Sequence, residues 1–79
     1  MEDFDKIIER LYRNDEDLKE LNLEWKCFKE SELEKLTDAL KINKTLQELI
    51  ICRNNIGSSG AKKFANVMKV NTSLREMFL

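Results

Sequence analysis

The fold this sequence predicts is α/β: a short solenoid arc with a parallel sheet on its concave side, helices on its convex side and a capping helix at the N-terminus. Three observations predict it. Residues recur at a 28-residue offset, as in Leu18, Leu46 and Leu74, then Leu21, Leu49 and Met77, then Leu23, Ile51 and Leu79. Within each unit the apolar spacing changes from alternation to helical periodicity. The opening segment, "DFDKIIERLYRN", is amphipathic yet stands outside the frame. A fixed period between about 20 and 50 residues marks a repeat protein, because one unit cannot bury its apolar face alone.

In the opening segment Phe4, Ile7, Ile8 and Leu11 fall at i, i+3, i+4 and i+7, one face of a helix running from about Asp3 to Arg13. That face covers the otherwise open end of the repeat core. The 79 residues then read as one domain: a capping helix and turn over 1–17, repeats over 18–45 and 46–73, and the first strand of a third repeat over 74–79.

Each "LxxLxL" run alternates, which suits a strand whose fourth and sixth positions face inward. Strands are expected at Glu20–Glu24, Glu48–Cys52 and Glu76–Leu79. Strand, helix and parallel strand in succession form the right-handed crossover unit.

The helical halves follow. Leu33, Leu36 and Leu40 line one face in the first unit, and Ala61, Phe64, Ala65 and Met68 line its counterpart in the second. Ser31 with Glu34 makes a capping-box pattern, so the first repeat helix is expected to begin there; Ser58 or Ser59 takes that role in the second unit. Asn43 and Asn71 follow the last periodic residues, and asparagine tolerates the left-handed conformation that ends many helices. Both also open glycosylation sequons, "NKT" and "NTS", but their shared frame position makes helix termination the better explanation. Gly60 reads as part of the turn into the second helix.

The frame "LxxLxLxxNxIxxxGxxxFxxxMxxN" from Leu46 to Asn71 resembles the ribonuclease-inhibitor type of leucine-rich repeat, and the resemblance spans Leu18 to Leu79. In that class the Asn54 side chain bonds backbone in the turn after the strand. Lys26 takes its place in the first unit, and Glu32 takes that of Gly60, which implies a looser first turn. More narrowly, "IIERLYRNDEDLKELNL" and "FANVMKVNTSLREMFL" are similar to the start of the repeat domain of tropomodulins and leiomodins, the actin pointed-end regulators. That likeness implies an actin partner.

Composition removes several function classes. Fourteen Lys and Arg balance 15 Asp and Glu to a net charge of −1, interspersed along the chain, so no nucleic-acid or anionic-membrane surface is expected. No stretch approaches the 18 or so apolar residues that cross a bilayer, and "MEDFDKIIER" has no apolar signal core; a cytoplasmic protein with Cys27 and Cys52 reduced is expected. With no histidine, Ser-His-Asp and Cys-His nucleophiles and His-based zinc sites are impossible. Gly57 and Gly60 lack phosphate-loop spacing, and Asp3, Asp5, Asp15, Glu16 and Asp17 follow no calcium-loop order. No catalytic residue, cofactor or metal is therefore expected. The remote alternative is an enzyme using Glu20 and Glu48 as acid and base, on a face too shallow for a pocket.

Function is expected on the concave face instead. Position three is glutamate in every copy, so Glu20, Glu48 and Glu76 stack at a strand spacing of about 4.8 Å. Neighbouring charges there repel by roughly 0.9 kcal/mol in bulk water, eased by Lys19 and Arg75 or by a basic partner. Position five changes from Asn22 to Ile50 to Phe78, growing more apolar. Trp25 leaves the first strand at its rim, either as a partner anchor or packed over the loop around Phe28. The expectation is thus a non-catalytic module binding another protein, one with a basic patch, through Glu20, Glu48, Glu76, Ile50, Phe78 and Trp25. The last strand presents an open edge, so either the native chain continues, two copies pair as a homodimer through it, or another protein covers it.

Overall fold

The computed structural model describes residues 3–24, 28–51 and 56–78. Helix α1 spans Phe4–Tyr12, and its first turn is capped by the Asp3 carboxylate, which accepts from the Lys6 amide at 2.9 Å. It ends in a Schellman motif: Asn14 is left-handed at φ 52°, the Asp15 amide donates to the Arg10 carbonyl, and the Asn14 amide donates to the Leu11 carbonyl. Ile7 and Leu11 are buried, with Phe4 and Ile8 half-buried beside them, as the spacing predicts.

Strands β1 (Glu20–Asn22), β2 (Glu48–Ile50) and β3 (Glu76–Phe78) form a parallel sheet in that order. Leu21, Leu49 and Met77 are in register on the inner face, and Glu20, Glu48 and Glu76 are in register on the outer one. The strands are shorter than the alternation suggests. The Asn22 side chain accepts from the Glu24 amide at 3.0 Å, a local turn that bends the chain out of β1. Pairing still reaches one residue further, since the Leu23 and Ile51 amides donate to the Ile50 and Phe78 carbonyls.

Helix α2 (Glu30–Ile42) lies between α1 and α3 (Gly57–Val70). One core joins α1, the inner sheet face and the helices, with Leu11, Leu36, Leu40, Leu46, Leu49, Ile51, Phe64 and Val67 fully enclosed. The Phe28 ring closes the core near α1, 5.4 Å from that of Phe4.

The buried face of α3 is a correction. Phe64 is enclosed as expected, but its companions are Gly60 and Val67, while Ala61, Ala65 and Met68 are exposed. Their frame counterparts Leu33, Thr37 and Leu40 are buried in α2. The difference is one of neighbours: α2 is flanked by a helix on each side, whereas among the described residues α3 has one only on its α2 side.

Helix starts differ as well. α2 begins at Glu30, one residue before Ser31, with Lys29 as its cap residue, and it is the Glu32 carboxylate that accepts from the Lys29 amide at 3.0 Å. Neither Ser58 nor Ser59 caps α3; Ser59 instead donates to the Glu30 carboxylate of α2 at 3.5 Å. Asn43 and Asn71 do not adopt the left-handed conformation but are extended, at φ −67° and −80°. Expectations for Trp25, Lys26, Cys27, Cys52, Asn54 and Leu79 lie outside the described residues.

Candidate protein-binding face

The outer sheet face is built by register alone. Parallel pairing places Glu20 beside Glu48 and Glu48 beside Glu76, and one step along it places Asn22 beside Ile50 and Ile50 beside Phe78. Glu20 and Glu76 are exposed and the central Glu48 is half-buried. Ile50 is half-buried, and Phe78 is 46% exposed, one of the most exposed large apolar side chains described. The face therefore carries a carboxylate row next to an apolar pair, open to solvent. Five of the six residues expected to bind a partner are gathered here; the sixth, Trp25, lies outside the described residues.

What holds the strand entrances in place is an asparagine ladder that the termination reading missed. The Asn43 side-chain oxygen accepts from the Thr45 and Leu46 amides at 3.0 and 2.8 Å, and its amide group donates back to the Leu11 carbonyl at 2.9 Å. Asn71 repeats this one unit on: it accepts from the Ser73 and Leu74 amides and donates to the Leu40 and Asn43 carbonyls at 2.6 and 3.0 Å. Both side chains are buried, which also makes them unsuitable as glycan acceptors.

The first rung is Asp15, at the same frame position. Its carboxylate accepts from the Asp17 amide at 3.0 Å, and its other oxygen takes the Arg10 guanidinium at 2.7 Å. An acid suits this rung, because the side chain meets a cation there where the asparagines meet carbonyls. The Arg10 guanidinium, helped by the Asp17 amide, holds the Asp15 carboxyl below its ordinary value. The signal was present in the frame: Asp15, Asn43 and Asn71 each stand three residues before Leu18, Leu46 and Leu74.

Two helices and two strands of one 28-residue spacing, with a third strand in register, are a shape that can be compared with known proteins. It shares its fold with actin-binding site 2 of leiomodin-1. That superposition has a TM-score of 0.89 at 24% identity over 100% of this chain, and a tropomodulin C-terminal domain from Caenorhabditis elegans gives 0.87 at 25% over 99%. The chain spans slightly less than half of each, 46% and 47%. No protein-family profile and no curated protein sequence matches it. Among the described residues no helix is long and apolar enough to cross a membrane, and no three His, Cys, Asp or Glu side chains come together to hold a metal.

Proposed function

We propose that this chain is a non-catalytic protein-interaction module of the ribonuclease-inhibitor repeat type, its sheet lining the concave side of a short arc. Its docking face is the row Glu20, Glu48 and Glu76 with Ile50 and Phe78 beside it, and Trp25 at the rim. The in-register carboxylates next to the half-buried Ile50 and the exposed Phe78 carry the reading: such a surface suits a partner offering Lys or Arg around an apolar anchor. Charge reversal tests it. Glu48→Lys at the centre of the row is expected to weaken binding to a basic partner while the fold is retained, since the side chain stands on the outer face.

A second reading makes that partner actin in the cytoplasm, and the solved leiomodin-1 domain of the same fold, described as an actin-binding site, favours it. Co-sedimentation with filaments and elongation from pointed ends of seeds capped at their barbed ends test it directly. Slowed elongation that Glu48→Lys relieves supports both readings together. Filament binding unaffected by Glu48→Lys would keep actin and reject the sheet face; no effect at high micromolar chain would reject actin.

A further inference from the structure

A second surface, at the edge where the helices end and the strands begin, has chemistry opposite to that of the sheet face. Ile42 and Val70 are the last residues of α2 and α3, occupy the same frame position, and are 53% and 57% exposed. Nothing local explains them: β-branched residues are mediocre helix formers, and neither reaches the core. Both line one groove of about 440 Å³, together with Asn43, Asn71, Lys41 and Lys44. Among the described residues no carboxylate lines it. Lys41 accords with the negative end of the α2 dipole, but Lys44 lies beyond the helix, and the two ammonium groups together exceed the roughly one negative charge that the ends of α2 and α3 present together.

The floor is rigid before anything binds. Asn43 and Asn71 are buried and fully engaged in the ladder, and the Lys44 amide is held by the Asn14 side chain at 2.7 Å. A groove with a fixed floor loses little conformational freedom on binding.

We infer that this groove docks an acidic amphipathic helix from a protein partner, with Ile42 and Val70 receiving its apolar side chains and Lys41 and Lys44 its carboxylates. Spacing sets the register of that helix. Packed helices stand about 9 Å apart, so Ile42 and Val70 are separated by roughly that distance. Apolar residues at i and i+7 of a helix crossing their ends are about 10.5 Å apart on one face. Charge decides the sign of the partner, because a basic segment meets Lys41 and Lys44 with no acid among the described residues of the groove to offset them. This site is independent of the sheet-face reading, and it stands on a different edge of the molecule.

The test uses fluorescence anisotropy with the intact chain and a dye-labelled helical peptide of about 16 residues, rich in glutamate, with leucines at i and i+7. Two control peptides replace the glutamates by lysine or the leucines by alanine. Saturable binding of the acidic peptide, stronger than that of either control, is the expected result. The double variant Ile42→Gln with Val70→Gln should weaken it roughly tenfold or more, because two apolar contacts are lost at exposed helical sites that glutamine fits. Lys44→Glu should weaken it as well, and Glu48→Lys on the sheet face should leave it unchanged. No saturable binding, equal binding of the lysine peptide, or affinity untouched by the Ile42 and Val70 changes would overturn the assignment.

Discussion

At the scale of single residues, the ladder turns a short polar motif into a structural requirement. Asn43 fills both its donor and acceptor roles in a buried site, so Asn43→Ala strands the Leu46 amide and leaves the Leu11 carbonyl with the Asn14 amide alone. A buried group left without a partner costs about 1–3 kcal/mol, and that is the expected loss, read from urea or thermal melts. A chain of 79 residues has only about 4–12 kcal/mol in total, so this one side chain decides much of its stability. Unchanged stability would show that water replaces the ladder. Asp15 gives a pH signature. Its carboxyl is depressed in the folded chain, so its contribution is present above its ordinary value of 3.8 and fades as the pH falls through the lower folded value. Asp15→Asn is therefore expected to lower the melting temperature near neutral pH, by a small amount for so accessible a group, and the difference from wild type should close below pH 3.8. Melts across that window check it, and a difference that persists in acid would assign the effect to something other than the Arg10 pair.

At the scale of elements, the strands and helices read very differently from the sequence. Alternation set which strand residues face in, and Leu21, Leu23, Leu49 and Ile51 are all buried as that parity requires. Leu49→Ala is expected to cost about 2–5 kcal/mol, a large share of the chain's total stability, since the side chain is fully enclosed. Unchanged stability of Leu49→Ala in the same melts would overturn the register. Helix faces were legible only in part, because a period gives the direction of the sheet but not which flanks have a neighbour. Ala61, Ala65 and Met68 match the buried pattern of α2 and are nonetheless exposed. The frame puts Gly60 in the turn into the second helix, but it lies within α3 and its role is contact: a Cβ there would collide with Ile56 Cγ2 and come within 3.4 Å of Leu33 Cδ1. Gly60→Ala should then destabilise by about 1–3 kcal/mol, against its better helix propensity, unless Ile56 finds another rotamer. Paired melts of Gly60→Ala with and without Ile56→Ala measure that collision, since removing the Ile56 side chain should relieve it.

At the scale of the whole molecule, the two ends are unlike. The outer side of α1 presents Asp5, Lys6, Glu9 and Arg13 to solvent, whereas the far side of α3 and the edge strand expose Met68 at 45% and Phe78 at 46%. Self-association is therefore expected through the β3 end. Light scattering on a sizing column across a concentration series is expected to show mass rising with concentration, and Met68→Lys with Phe78→Ser to return it to the monomer. A wild-type chain that stays monomeric throughout would reject pairing and leave that end free.

By itself the sequence determined what repeats: the 28-residue frame, the order of strand and helix, the parity of every strand and hence the carboxylate row. Those are local and periodic properties, set by side-chain alternation and by positions that recur at one offset. Only the tertiary structure decided which helix flank is covered, that Asn43 and Asn71 reach back to the carbonyls of the preceding unit, that Gly60 makes room for Ile56, and that Ile42 and Val70 share a groove. Each of these depends on what lies across from a residue in the neighbouring unit. A single chain read in order shows that only where both partners keep the period.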